Sequence, residues 1–256
     1  MVSESSENIL FGFIGGLGPR ASTTFLQTIY NIRGSYLNEQ DLPRVLLLSD
    51  PYVPNRTELL LSGREKALYN IIKGSIDKLI VFGVDKIAIL CFTFHYFIPQ
   101  LTKEYRNILS LIDIALKQVL LNKKKHLLLG TLATYQLKIF EKSLYWNTAK
   151  EFIILPTLQD QKNIYDIIHQ FKMGRNPDKK LFKTLNQLLF KYEAEYLLAG
   201  CTEFHLLSDE YLLKKHGLKI LDPLDVLAWE VAFSKTNILG ICGVNQKEDS
   251  GVPINK

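Results

Sequence analysis

The sequence predicts an α/β protein of two pseudo-symmetric lobes, each a mostly parallel sheet flanked by helices, with the functional cleft between them. Three observations predict it. Short apolar runs alternate with segments of helical spacing along the 256 residues, which is the pattern of strands and helices in parallel sheets. A turn of small residues follows the first run of each half, Gly15-Gly16-Leu17-Gly18-Pro19 and Gly130-Thr131-Leu132-Ala133-Thr134. The pattern C-x-x-F-H also occurs twice, each time directly after an apolar run, as Cys91-Phe92-Thr93-Phe94-His95 and Cys201-Thr202-Glu203-Phe204-His205.

In order, Ile9 to Ile14 reads as a buried strand broken by the glycine turn, and Pro19 suits the first position of a helix that continues from Ala21 to Ile32. Val45 to Ser49 is a second strand, Pro51 to Thr57 a proline-bracketed loop, Glu65 to Phe82 a helix, and Lys86 to Leu90 a strand ending at Cys91. The theme repeats with a strand at 126–129, a helix from Tyr135 to Leu144, a strand at 152–155, and helices at 161–171 and 179–192. A strand at 196–199 ends at Gly200-Cys201, another covers 218–221, and Asp222-Pro223 opens a last helix through Val231. The expected division is a first lobe of 1–112 plus 218–245, a second of 113–217, and a frayed polar tail at 246–256.

Composition narrows the function. A 47% hydrophobic content provides a core, and the net charge of +5 is scattered in clusters such as Lys123-Lys124-Lys125, without the basic stripe of a nucleic-acid face. The acidic N-terminus lacks the positive region of a secretory signal, and no apolar run approaches the ~18 residues of a membrane span. With three cysteines, an odd number, the expectation is a cytoplasmic protein with reduced thiols, no membrane contact and no nucleic-acid partner.

Ligands of open α/β sheets bind beyond the carboxyl ends of the strands, where the Gly15 turn, Cys91, Thr131 and Cys201 all fall. Two thiols meeting across one cleft suit a reaction that removes a proton from one face of a carbon and delivers one to the other, which is racemisation. A free thiol ionises near pH 8.5, so one partner can be thiolate while the other stays protonated at small cost. His95 and His205 each follow their cysteine by four residues and are thiol-tuning candidates if a helix starts there. Gly16-Leu17-Gly18-Pro19-Arg20-Ala21 also imitates a dinucleotide fingerprint, with Glu39 or Asp41 about twenty residues on; Pro19 and the matched cysteine turns count against that use. A Cys2His2 metal set from Cys91, His95, Cys201 and His205 is conceivable, but no metal is expected. Cys242 has no echo and reads as a bland thiol.

Five segments in order carry a resemblance: Gly12 to Pro19, Pro51 to Thr57, Cys91 to His95, Ala199-Gly200-Cys201-Thr202-Glu203 and Leu221-Asp222-Pro223. They resemble the successive motifs of the aspartate/glutamate racemase superfamily, closest to its aspartate racemase branch. The resemblance implies a two-lobe α/β fold, a homodimer, and an isomerase that interconverts L- and D-amino acids without a cofactor, using Cys91 and Cys201. It also implies Arg56 as the cation for an acidic side chain, with Lys172 near the same group. The developing carbanion would be stabilised by the amides of Gly15, Gly16 and Gly18 and the hydroxyls of Thr93 and Thr202, with Glu203 also at the substrate.

The chain departs from the family pattern in places. Phe92 stands where Asn is common, removing a hydrogen bond to the amino-acid head group, Asn55 replaces an Asp beside Arg56, and Leu17 replaces a Met. Two alternatives therefore stay open: a catalytically silent amino-acid-binding protein, and a racemase of a non-acidic substrate such as a hydantoin.

Overall fold

A computed structural model describes residues 9–32, 38–208 and 210–234. The first half runs β1 (Leu10–Gly15), α1 (Pro19–Ile32), β2 (Arg44–Ser49), α2 (Arg56–Leu61), α3 (Glu65–Val81) and β3 (Lys86–Ile89), then a 3-10 turn at Phe92–Phe97, α4 (Ile98–Glu104) and β4 (Ile108–Leu109). After α5 (Leu111–Asn122) come β5 (His126–Gly130), α6 (Leu132–Gln136), α7 (Trp146–Ala149), β6 (Ile153–Ile154), α8 (Leu158–Lys172), α9 (Lys179–Lys191) and β7 (Tyr196–Gly200). A second 3-10 turn at Thr202–Leu207, α10 (Glu210–Lys215), β8 (Ile220–Leu221) and α11 (Pro223–Ala232) complete it.

Both sheets are wholly parallel and share one topology, β2-β1-β3-β4 and β6-β5-β7-β8. In each, the chain leaves the first strand in one direction and returns on its other side, which opens a crevice between the first and third strands at their carboxyl ends. The two lobes with parallel sheets flanked by helices are therefore as expected. Ile220 and Leu221 pair with β7 in the second sheet. It is α11 that packs on α1 and α5.

Strand alternation assigns the cores. In the second sheet Leu127, Leu129, Leu197 and Ala199 face α8 and α9 and pack with Ile164, Ile168, Phe182 and Leu185. Leu128 and Leu198 point the other way, into the large core shared with the first lobe, as a side-chain period of two requires. In the first lobe Phe13 of β1 meets Phe25 of α1 edge-on, with ring centroids 5.0 Å apart. Among the described residues no helix is long and apolar enough to cross a membrane.

Some segments differ from expectation. The proline loop is shorter than 51–57, because Asn55 accepts from the amides of Thr57 and Glu58 and starts α2 at Arg56. The helix expected at 135–144 stops at Gln136, since Lys138 adopts φ 51°. The Tyr135 hydroxyl ties that turn to β5, donating to the Leu128 carbonyl and accepting from Gly130 N–H. The expected tail at 246–256 and Cys242 lie outside the described residues.

Candidate active site

The site starts from the ends of four strands. Leu90 N–H donates to the Ile14 carbonyl at 2.8 Å, which extends the β1–β3 pairing by one residue and sets Cys91 level with the glycine turn. In the second lobe Gly130 pairs with Gly200, so Thr131 and Cys201 emerge side by side. Both cysteines have extended backbones, φ −163° and −144°, and both accept the first 3-10 hydrogen bond, from Phe94 and Phe204. The same local structure thus presents both thiols.

The glycine turn is built by steric necessity. Gly16 has φ +77°, and a Cβ there would lie 2.3 Å from the Asp50 nitrogen, so only glycine fits. Ser22 braces the turn: its hydroxyl accepts from Gly16 N–H and donates to the Gly18 carbonyl, both at 3.2 Å. This corrects the expected role of the Gly16 amide, which is already bonded within the protein. Gly15 is the last residue of β1, paired with Ser49. Gly18 differs, for its α-carbon lies against the Glu203 carboxylate, leaving 2.5 Å between a built Cβ and Oε1.

Two hydrogen bonds cross between the halves in a symmetric way. Thr93, after Cys91, shares a 3.4 Å hydrogen bond with Thr131 at the end of β5. Thr202, after Cys201, donates at 3.4 Å to the Leu90 carbonyl at the end of β3. Phe92 adds an apolar clamp. Its ring stacks on Phe140 of the second half at 5.8 Å with planes 8° apart, and it is buried. Phe92 is therefore turned into the core between the lobes, and it supplies no polar contact.

The charged groups converge on the thiols. Lys172, the last residue of α8, brings Nζ to 3.8 Å from Glu203 Oε1. Burial works against its ammonium, but the negative groups around it, Glu203 first and then Cys201, raise its pKa; Arg56 and Cys91 lie within range of the same charge. Arg56, the first residue of α2, lays its guanidinium over the glycine turn, donating to the carbonyls of Leu17 and Val53. The Cys201 thiol donates to Glu203 Oε2 at 2.8 Å. Burial pushes its pKa well up, and the Glu203 charge and hydrogen bond add to this against the pull of Lys172, with a further rise from Cys91. Cys91 and Cys201 are both buried and unpaired as disulfides, and each lies within electrostatic reach of the other and of Lys172. These contacts gather Cys91, Cys201, Glu203, Lys172, Arg56 and Gly18 at one locus.

The histidines do not reach the thiols, which corrects their expected tuning role. His95 Nε2 accepts from Leu111 N–H at 2.9 Å, so its Nδ1–H donates to the Cys91 carbonyl at 3.0 Å. Burial lowers its pKa to about 4, and the ring is a neutral brace between Cys91 and the start of α5. His205 Nδ1 meets Asp222 at 2.6 Å. Its Nε2 meets the Thr28 hydroxyl at 3.1 Å, whose own proton goes to the Thr24 carbonyl. Burial opposes its charge, but Asp222 more than offsets this and raises the pKa, so the ring donates from both nitrogens and ties α1 to α11. The reason is geometric: each segment is a 3-10 helix with three residues per turn, so a residue four positions on lies on another face.

Arg20 escaped the sequence reading. Its guanidinium crosses to the second lobe, donating to the carbonyls of Phe171 and Arg175 and to Asn176 Oδ1 at 3.4, 3.1 and 2.6 Å. It thereby holds the end of α8 that carries Lys172. The available signal was its place immediately after the glycine turn, which puts it at the rim of the crevice.

Comparison with known proteins agrees with this architecture. The family model described as Asp/Glu/hydantoin racemase matches residues 14–231. A broad specificity amino-acid racemase, RacX of Bacillus subtilis (strain 168), is 23% identical over 207 residues, covering 78% of this chain and 88% of that protein. Among solved structures, the aspartate racemase of Picrophilus torridus superposes with a TM-score of 0.72 at 27% identity, over 89% of this chain and 94% of its own. The glutamate racemase of Francisella tularensis in complex with D-glutamate shares the fold with a TM-score of 0.58 at 14% identity, over 90% of this chain and 82% of its own. Since the match to the family model runs from the end of β1 to the last helix, taking in both cysteine turns, the chain belongs to the Asp/Glu/hydantoin racemase family.

Proposed function

We propose that this chain is a cofactor-independent amino-acid racemase that moves the α-proton of its substrate between Cys91 and Cys201, with acidic amino acids, aspartate first, as substrates. The observation that carries the reading is the pair of buried thiols at pseudo-equivalent strand ends, within reach of each other's charge and of Lys172. One cysteine, as thiolate, takes the α-proton and leaves the electron pair delocalised into the α-carboxylate. The other, as thiol, protonates the opposite face. The product is the other enantiomer, and thiol and thiolate have exchanged places. Both proton carriers are side chains of the protein, so the step as written needs no cofactor.

The α-carboxylate, where charge accumulates, is assigned to the hydroxyls of Thr93 and Thr202, which would turn to it from their 3.4 Å partners. Arg56 and Lys172 are the cations for a side-chain carboxylate, Arg56 through its planar fork. In this reading residues 1–112 with α11, and residues 113–217 with β8, are the lobes that enclose the substrate, and the working unit is a cytoplasmic homodimer. Wider substrate tolerance is a second reading, favoured by Phe92, whose burial against Phe140 removes a polar contact to the head group.

NMR in deuterated water tests the reading, following α-proton loss and chiral composition for aspartate, glutamate and neutral amino acids. Loss of the α-proton with appearance of the opposite enantiomer of aspartate is expected. Folded, reduced protein that exchanges no member of the panel would sink it. Arg56→Ala should lower kcat/KM for acidic substrates about tenfold or more, the scale of a charge-assisted contact. An equal loss for neutral amino acids would remove its assigned role.

A further inference from the structure

Glu203 occupies the position in the second cysteine turn that Thr93 occupies in the first, and one of its two carboxylate oxygens lacks a donor. The residue is 3% exposed. Oε2 accepts from the Cys201 thiol at 2.8 Å, and the Thr202 hydroxyl, which donates to the Leu90 carbonyl, lies 3.5 Å from it. Oε1 has no hydrogen-bond donor, the one such atom seen among the buried side-chain polar atoms of the described residues. Lys172 Nζ, 3.8 Å away, is too distant to donate. Leaving a buried acceptor without a donor costs about 1–3 kcal/mol, so an oxygen in this state is suited to a donor that arrives with a ligand.

The neighbours say which donor fits. The Gly18 α-carbon packs against Oε1, and a Cβ there would come within 2.5 Å, so any side chain at this position would close the approach to that oxygen. A carboxylate oxygen there favours a cation with hydrogens to give. In the racemase reading the Cys201 thiol faces the reacting carbon, and it sits on the other oxygen of the same carboxylate, so a group bonded to that carbon is the one placed to reach Oε1. An α-ammonium is bonded to that carbon and meets both conditions.

We propose that Glu203 Oε1 receives the substrate's α-ammonium group while Oε2 orients the Cys201 thiol. The assignment deepens and rests on the racemase reading. It also names the substrate class: α-amino acids with a free protonated amine. Hydantoins, N-acylated amino acids and hydroxy acids, which carry no ammonium, fall outside it.

Isothermal calorimetry with two probes, L-aspartate and succinate, separates this role from a structural one. Wild-type protein is expected to bind aspartate at least tenfold more tightly than succinate, a difference of about 1.4 kcal/mol. Glu203→Gln should bring that ratio close to one while circular dichroism stays unchanged. Glu203→Asp, which withdraws the acceptor by one methylene, is the second variant and should give an intermediate ratio. In parallel, alkylation of Cys201 followed by peptide mass spectrometry should show its reactivity in Glu203→Gln rising at lower pH than in wild type. An unchanged aspartate-to-succinate ratio in both folded variants would overturn the ammonium role, as would equal binding of the two probes by wild type. If wild type binds neither probe and exchanges no α-proton, the racemase reading fails and takes this assignment with it.

Discussion

The pentapeptides Cys91–His95 and Cys201–His205 share one backbone and carry different chemistry. Both cysteines end a strand in extended conformation, both are followed by a 3-10 turn, and both histidine carbonyls accept from the residue that closes it. The side chains then diverge. Phe92 is an apolar clamp where Thr202 is a polar bridge, and Thr93 stands where Glu203 places a carboxylate on the thiol. His95 is held neutral by burial, while His205 is held charged by Asp222. The duplicated geometry positions two thiols alike, and the residues between Cys and His make them unlike. Burial and the Glu203 carboxylate hold Cys201 towards its thiol form.

The largest effect expected from breaking the pair is loss of turnover. Cys91→Ala and Cys201→Ala should each reduce racemisation by at least the ~10²–10⁴-fold that a positioned acid or base contributes, with the fold intact by circular dichroism. Next is Phe92→Ala, which removes the buried ring stacked on Phe140 and should cost about 3–5 kcal/mol, read as a fall in the urea midpoint. A cost below 1 kcal/mol would mean that the two lobes do not depend on this clamp.

The histidines differ in the sign of their pH dependence. His95 has a folded pKa of about 4, below its ordinary 6.5, so the unfolded chain binds more protons between these values and stability falls as pH drops from 6.5 towards 4. The loss amounts to about 3 kcal/mol at full extent. His205 has the opposite sign, since its raised pKa stabilises the fold below the unfolded value and is lost as pH rises through the folded one. The stability gap between wild type and His95→Gln, measured by denaturation at several pH values, should therefore shrink on acidification. A gap independent of pH contradicts a buried neutral ring.

The smallest effect belongs to Arg20→Ala. The Arg20 contacts are partly exposed and each is modest, so freeing the segment that carries Lys172 should raise KM about fivefold or less with kcat nearly unchanged. A fall in kcat at constant KM would place Arg20 in the chemical step instead.

Much of this arrangement was legible in the amino-acid order. Parallel strands buried on both faces read as continuous apolar runs, and Gly16 and Pro19 punctuate the first turn unambiguously. The carboxyl-end rule then collects Gly15, Cys91, Thr131 and Cys201 in one place. What was not legible depends on distance or on the type of turn. Arg20 meets partners more than 150 positions away, which no local pattern reports. The histidine roles were misread because four-residue spacing means one face only in an α-helix. The helix α5 is capped by Ser110 and closed by Lys123 with φ 53°, but it buries Leu111, Ile112, Ala115, Leu116 and Val119, so its wide apolar face blurs the helical period that marks a surface helix.

The most direct measurement is α-proton exchange in deuterated water with each pure enantiomer of aspartate, on Cys91→Ala and Cys201→Ala side by side. Two bases on opposite faces predict that neither variant inverts the substrate. Any residual exchange should be confined to one enantiomer in the first variant and to the other enantiomer in the second. Inversion at the wild-type rate by either variant would contradict the account, because a single thiol would then suffice.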